Sequence, residues 1–147
     1  MGEIMTGGCQ CSRVRYEVEI DSDDAYWCHC RMCQKATGGI AAAFVQVESP
    51  ITWLGQPDWY ESSPVARRPF CSTCGTPLGF AWKTTSKGQD LTVGSFDDPT
   101  RFKPVAHAGS ESMHEAWLDT KDLPRHYSGT TPSVVKHWQD AGLEVPE

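Results

Sequence analysis

Seven cysteines carry most of the chemistry open to this sequence: Cys9, Cys11, Cys28, Cys30, Cys33, Cys71 and Cys74. They form three short runs, Cys-x-Cys, Cys-x-Cys-x-x-Cys and Cys-x-x-Cys, and none follows Cys74. An odd number of thiols, spaced one or two residues apart, is poor material for a disulfide framework. The spacing suits metal knuckles, where a tight turn lets two thiolates meet one ion. Thiolate-rich sites select zinc, and iron–sulfur clusters are the other occupant of such a donor set. A structural zinc is closed by four protein ligands, whereas a catalytic zinc takes three and keeps a position open. Seven thiols therefore read as one closed site and one open site.

Spacing alone leaves two groupings. Cys30/Cys33 and Cys71/Cys74 would make a zinc ribbon and strand Cys9, Cys11 and Cys28. Alternatively, Cys9/Cys11 join Cys71/Cys74 and leave the compact run Cys28-His29-Cys30-Arg31-Met32-Cys33. Three thiolates within six residues converge on one ion without help from elsewhere, which favours the second grouping.

Positioning these knuckles falls to a chain of 147 residues, 39% of them hydrophobic, enough for one domain spanning 1–147 with a buried core. Thirteen basic residues against nineteen acidic ones give a formal charge of -6. Seven thiolates and two zinc ions would take it to about −9. Such a surface repels a phosphate backbone, so nucleic acid is not an expected partner. No apolar run approaches the roughly 20 residues that span a bilayer. The start, Met1-Gly2-Glu3-Ile4-Met5-Thr6, lacks signal-peptide character. The expectation is a cytoplasmic protein with no membrane partner.

The chain reads as mainly β. Val14, Tyr16, Val18 and Ile20 alternate with charged residues, which predicts a half-buried strand over 13–20. A polar turn follows at 21–24, then the Cys28–Cys33 knuckle with a helical turn through Lys35. Thr37-Gly38-Gly39 ends that turn. Further strands are expected over 40–47, 51–54, 78–82 and 91–96, with extended segments on both sides of Pro64 and a turn over 84–90. Gly75 follows the second Cys-x-x-Cys where positive φ is needed. Trp53, Trp59, Trp82 and Trp138 read as core or edge packing. Residues 105–130 are loop-rich and hold His107, His114, Trp117, His126 and Tyr127. Thr131-Pro132 opens a C-terminal helix, with Val134, Val135, Trp138 and Ala141 on one face and Gly142 at its stop.

The segment Gly7-Gly8-Cys9-Gln10-Cys11-Ser12-Arg13-Val14-Arg15-Tyr16 resembles the opening of the glutathione-dependent formaldehyde-activating enzyme family, also called the Gfa or centromere-protein-V-like family. Cys28-His29-Cys30-Arg31-Met32-Cys33-Gln34-Lys35 is similar to its second motif, and Phe70-Cys71-Ser72-Thr73-Cys74-Gly75-Thr76-Pro77-Leu78 to its third. Gly94-Ser95-Phe96-Asp97-Asp98-Pro99 resembles its late strand and turn. The resemblance runs over about residues 6–127. It implies an Mss4-like, zinc-clasped antiparallel β fold, here with a short C-terminal helix. It also implies the second metal grouping: Cys9, Cys11, Cys71 and Cys74 around a structural zinc, and Cys28, Cys30 and Cys33 around a second, reactive zinc.

The activity implied is a zinc-dependent carbon–sulfur lyase acting on a thiol adduct, glutathione-type, of a small aldehyde such as formaldehyde. In that reading a thiol loses its proton at the open site and attacks the carbonyl carbon. His29, or water, is the candidate acid, and the alternative for His29 is a loop-shaping role. Arg31 and Lys35 are the candidate substrate-binding cations, against a plain role as solvated charges offsetting thiolates. The histidine and aromatic residues of 105–130 are a candidate wall over the second zinc, or ordinary surface residues. A non-catalytic glutathione or thiol carrier, or a zinc-stabilised binding module, is the competing function. Methionine sulfoxide reductases of the B type share the Mss4-like fold but need a redox cysteine beyond the zinc motifs, and no cysteine is left over here.

Overall fold

The computed structural model describes residues 2–85 and 88–146. The centre of the expected 84–90 turn, residues 86 and 87, lies outside the described residues. The chain divides into two compact units, one ending at His114 and the other beginning at Glu115.

Among the described residues the first unit holds ten strands and a short helix. In chain order these are β1 (Glu3–Gly8), β2 (Arg15–Ile20), β3 (Asp24–Cys28), α1 (Arg31–Thr37), β4 (Ala42–Val47), β5 (Thr52–Leu54), β6 (Asp58–Ser63), β7 (Ala66–Phe70), β8 (Gly79–Trp82), β9 (Gln89–Thr92) and β10 (Lys103–Ala108). β1, β2 and β5 form a three-stranded antiparallel sheet in that order. The other seven strands lie in the order β10-β3-β4-β9-β8-β7-β6. Their pairings are antiparallel except that β10 runs parallel to β3.

Alternation decides which residues meet. Val14, Tyr16, Val18 and Ile20 are buried, as their spacing predicts, and pack with Val45, Val47 and Leu91 of the larger sheet. Burying each such side chain contributes roughly 1.5–3 kcal/mol. Tyr16 spends its polar end well: its hydroxyl lies 2.8 Å from Ser95 Oγ, while its ring stands edge-on to Trp53 and Phe96. The opposite face of the larger sheet carries a second cluster, built from Ala42, Phe44 and Cys33, with Tyr26, Cys28, Cys30 and Phe80 against it.

Several expected elements change. β10 arises largely within the segment expected to be loop-rich, β3 begins at the last residue of the expected polar turn, and β1 lies where no element is predicted. The 91–96 strand stops at Thr92 and gives way to a 3₁₀ turn over Val93–Ser95. That turn sends Phe96 into the core at 4% exposure. Asp90 sits inside β9 rather than in a turn. Trp53 and Trp59 are half-buried, but Trp82 is largely exposed.

The second unit contains 3₁₀ turns at Glu115–Trp117 and Ser128–Thr130 and the helix α2 (Pro132–Asp140). Val134, Val135 and Trp138 are half-buried, as their spacing predicts, while Ala141 is exposed. Thr131 stands at the N-cap position without capping, because its hydroxyl donates to the Tyr127 carbonyl at 2.8 Å. Gly142 takes φ 74 after the helix. Among the described residues no helix is long and apolar enough to cross a membrane.

Candidate metal centres

The first thiol group joins two distant turns. Cys9 and Cys11 lie in the turn between β1 and β2, and Cys71 and Cys74 in the turn between β7 and β8. All four sulfurs lie within 4.8 Å of one another. In each turn the residue after the second cysteine is left-handed, Ser12 at φ 66 and Gly75 at φ 80. The Gly75 amide donates to the Cys71 carbonyl at 2.7 Å, and the Ser12 amide to the Cys9 carbonyl at 3.1 Å. Cys9 and Cys71 are buried in the main core, whereas Cys11 is exposed.

Donors surround these sulfurs. The Val14 amide donates to Cys9 Sγ at 3.2 Å and Arg13 Nε to Cys71 Sγ at 3.4 Å. The guanidinium of Arg13 also pairs with Asp58, which accepts from the Ser72 amide at 2.8 Å. The hydroxyl of Thr76 sits 3.2 Å from Cys74 Sγ, and hydrogen bonds from Thr76 lower the Cys74 thiol to about 5. Four thiolates this close repel one another, so a cation is what lets all four ionise together.

The second thiol group is local. Cys28 ends β3, Cys30 is the N-cap of α1, and Cys33 lies in its first turn. Their sulfurs also lie within 4.8 Å of one another. Among the described residues, no histidine nitrogen or carboxylate oxygen joins that group. Cys30 caps by accepting the Cys33 amide at 3.3 Å, and Gly38, within the predicted break, closes the helix in the left-handed conformation. The three thiols differ in acidity. Burial opposes ionisation of Cys30, but hydrogen bonds from the Cys33 backbone and the neighbouring thiols outweigh it and lower its pKa. Burial raises Cys28, and it pushes Cys33 up to about 12 despite a hydrogen bond from Arg68.

His29 points inward, with no exposed surface. Its Nε2 lies 2.8 Å from Nδ1 of His107, and its buried Nδ1 has no hydrogen-bond partner among the described residues. The His29 amide donates to the Ala108 carbonyl at 2.9 Å, and Gln34 Nε2 donates to the His29 carbonyl at 2.6 Å. This ties the knuckle to the end of β10. Gly109 completes the seam at φ 61, where an added Cβ would fall 2.7 Å from the Cys30 nitrogen. His107 and His114 are exposed in the first unit, while Trp117, His126 and Tyr127 belong to the second.

The three thiols line a cavity of about 470 Å³ whose other walls include Tyr26, Phe44, Phe80, Arg68 and Asp90. Register explains the set. Tyr26 pairs with Phe44, Phe44 with Thr92, Gln46 and Phe80 with Asp90, and Ala66 with Trp82. Stepping by two from each pair puts Cys28, Tyr26, Phe44, Asp90, Phe80 and Arg68 on one face. Arg68, 7% exposed, donates from Nη2 to Cys33 Sγ at 3.4 Å and lies 5.1 Å from the centre of the Phe80 ring. Asp90, 9% exposed, lines the same cavity, and burial raises its pKa. Sequence reasoning missed both. Arg68 stands beside Arg67 with nothing local to tell which points inward, and Asp90 looks like a turn residue. Of the expected cations, exposed Arg31 is tied to Gln34 on its own helix. Lys35 lines an adjoining cavity, also of about 470 Å³, with Tyr60 and Ser62. Met32 and Arg68 line both cavities.

A family model described as glutathione-dependent formaldehyde-activating enzyme matches residues 4–112, a span that contains all seven cysteines. A Schizosaccharomyces pombe protein described as an uncharacterized lyase is 31% identical over 77 residues, 52% of this chain. The match spans 56% of that protein's length. A crystal structure of a Rhodobacter sphaeroides protein aligns with a TM-score of 0.58 and 22% identity, covering 71% of this chain and 100% of the other, a likeness of fold. Three cysteine motifs in order, gathered into two thiol groups within a span that the family model matches, place the chain in the glutathione-dependent formaldehyde-activating enzyme family.

Proposed function

We propose that the protein is a zinc-dependent carbon–sulfur lyase that makes and breaks the adduct of a small thiol, glutathione-type, with a small aldehyde such as formaldehyde. The observation that carries this reading is the three-thiol group at the wall of a cavity, with no fourth protein ligand among the described residues. Two zinc ions fit the donor sets, one held by Cys9, Cys11, Cys71 and Cys74 and one by Cys28, Cys30 and Cys33. We read the first as an Mss4-like clasp within a single functional domain of 1–147, and the free thiols as suited to a reducing cytoplasm. Zinc held by Cys28, Cys30 and Cys33 would supply Lewis acidity that lowers the pKa of a substrate thiol.

The chain's own residues supply the rest. Arg68 places a buried positive charge beside Cys33 and offsets the accumulated thiolate charge. The apolar walls of Phe44 and Phe80 keep water from the adduct. Lys35, in the adjoining cavity, is placed to hold a carboxylate of the thiol compound, whereas Arg31 is committed to Gln34. We assign His29 to holding the knuckle, since it faces His107 and is not among the residues lining the cavity.

Exchange spectroscopy at equilibrium tests the reading, with glutathione, formaldehyde and equal amounts of wild type and Cys30→Ser. The expected result is exchange faster than background for wild type and at background for Cys30→Ser. Indistinguishable rates, with glutathione still bound, would replace the lyase by a non-catalytic carrier.

A further inference from the structure

We propose that the aldehyde this site takes carries an apolar ring a few bonds from its carbonyl, and that Phe44, Phe80 and Trp82 select it; the inference rests on the lyase reading above and names its substrate class. Size is the first observation. The cavity at the three thiols measures about 470 Å³. Formaldehyde has two heavy atoms and takes little more room than one water, about 30 Å³. A cavity of this size walled by rings, with a few polar groups, suits a far larger guest. The rim is the second observation. Met32, Val65 and Trp82 line the cavity and are 48%, 46% and 48% exposed. Apolar side chains gathered at a mouth mark a surface that an apolar guest covers, and a one-carbon aldehyde is too small to cover them.

The third observation is where the rings stand. Tyr26 and Phe44 stack across β3 and β4, with centroids 5.8 Å apart and planes at 27°. Phe80 and Trp82 of β8 meet edge-on, with centroids 4.9 Å apart and planes at 89°. Register sets their distance from the thiols. Cys28 pairs with Ala42, the Tyr26–Phe44 pair lies two residues further along, and Phe80, opposite Asp90, lies two further still. Two residues of strand advance about 7 Å. The ring-lined wall therefore begins one such step from Cys28. A ring tethered to its carbonyl by a short chain reaches that wall, and formaldehyde does not.

The thiol compound leaves this wall free. Its charged body suits the adjoining cavity of Lys35, Tyr60 and Ser62, where the buried Ser62 hydroxyl has no hydrogen-bond partner among the described residues. The cavity at the thiols carries a carboxylate, Asp90, at the end away from Cys28, which repels a carboxylate-bearing tail. Met32 and Arg68 line both cavities, so one adduct spans them, with its charged part in one and its ring in the other. The addition balances without a further reactant. The carbon–sulfur bond forms, the carbonyl π pair moves onto oxygen, and that oxygen takes the proton given up by the thiol. The lyase direction reverses each transfer, and nothing is oxidised or reduced.

Exchange spectroscopy with glutathione compares hydrocinnamaldehyde, a phenyl ring two carbons from its carbonyl, with formaldehyde, each as a rate over its own uncatalysed background. The enhancement should be roughly 10- to 100-fold greater for hydrocinnamaldehyde. Trp82 is exposed at the rim, so Trp82→Ala should fold like wild type, and it is expected to cut that preference severalfold. Hydrocinnamyl alcohol keeps the ring and has no carbonyl to react, which gives a readout independent of turnover. Saturation-transfer NMR should show its ring protons against wild type and a weaker signal with Trp82→Ala. Suppose wild type outruns Cys30→Ser with formaldehyde. If hydrocinnamaldehyde then gains no greater enhancement, if Trp82→Ala keeps the whole preference, or if the alcohol does not bind, the proposal is overturned and the lyase reading stands. If wild type exceeds Cys30→Ser with neither aldehyde, the lyase reading falls and this assignment with it.

Discussion

The two thiol groups use the same ligand atom, the same knuckle spacing and one arginine apiece, yet they sit on opposite faces of the seven-stranded sheet. The four-thiol group is drawn from turns about 60 residues apart and shares its buried cysteines with the main core. Its arginine, Arg13, is balanced by Asp58 at the surface. The three-thiol group comes from one strand end and one helix start, and its sulfurs face a cavity. Its arginine, Arg68, is buried, and among the described residues it pairs with no carboxylate. On the proposed reading, ligand chemistry alone does not separate a structural clasp from a reactive centre. What separates them is how far apart in the chain the ligands lie, what the free side of the group faces, and how the extra charge is neutralised.

The largest effect should come from breaking one ligand in each group. Cys71→Ser removes a link between distant turns, and a structural zinc site contributes on the order of 10 kcal/mol to folding, comparable to the whole stability of a domain. That variant is expected to unfold or aggregate. Cys30→Ser should stay folded and lose one of two zinc ions, because its loop is held independently by Gln34, Ala108 and Ser112. Thermal melts with native mass spectrometry check this. Equal and severe destabilisation by both changes would make both groups structural and dissolve the comparison.

Much of this contrast was legible before any coordinates. Thiol spacing gave the knuckles, the Val14 to Ile20 alternation gave β2, Thr37-Gly38-Gly39 marked the end of α1, and Gly75 marked a left-handed position that the structure bears out. Other parts were not, for reasons particular to each. β10 pairs parallel to β3 with a register shift between Pro104 and Ala106, and most of its side chains are exposed, so it has no alternation to read. β1 and β3 likewise carry few buried positions. Asp90 and Arg68 become site residues only through the pairing of strands distant in the chain, which no local pattern encodes. The partner of His29, His107, lies 78 residues further on and is equally invisible to a local pattern.

The arginines offer an intermediate test. Arg68→Leu leaves the three thiolates without their buried cation, and outer-shell partners of metal ligands are typically worth about 10–100-fold in metal affinity. Arg13→Leu removes an exposed guanidinium whose pair with Asp58 is solvent-screened, so its expected cost is below about 1 kcal/mol of stability. Competition with a chelator should show the second zinc weakened in Arg68→Leu and both zinc ions close to wild type in Arg13→Leu. The reverse order would mean that burial of the arginine is irrelevant to holding the metal.

The smallest effect sharpens the comparison between the two knuckles by adding one methyl group to each. Gly75 has φ 80 and open space around its missing Cβ, so Gly75→Ala meets only the left-handed strain, about 1–2 kcal/mol. Zinc affinity at the four-thiol group should hardly change, because the sulfurs are not pushed. Gly109 has φ 61 and the same strain, but its added Cβ would also meet the Cys30 nitrogen at 2.7 Å and the Cys30 Cβ at 3.0 Å. Both atoms belong to a ligand residue that caps α1, so the clash can be relieved only by moving the knuckle or the end of β10. Gly109→Ala should therefore lower the melting temperature by a similar few degrees and, in addition, weaken the second zinc severalfold in chelator competition. A Gly109→Ala protein with full zinc affinity would show that the three-thiol knuckle moves freely against β10, and the seam through Ala108 and Gly109 would then have no part in shaping the site.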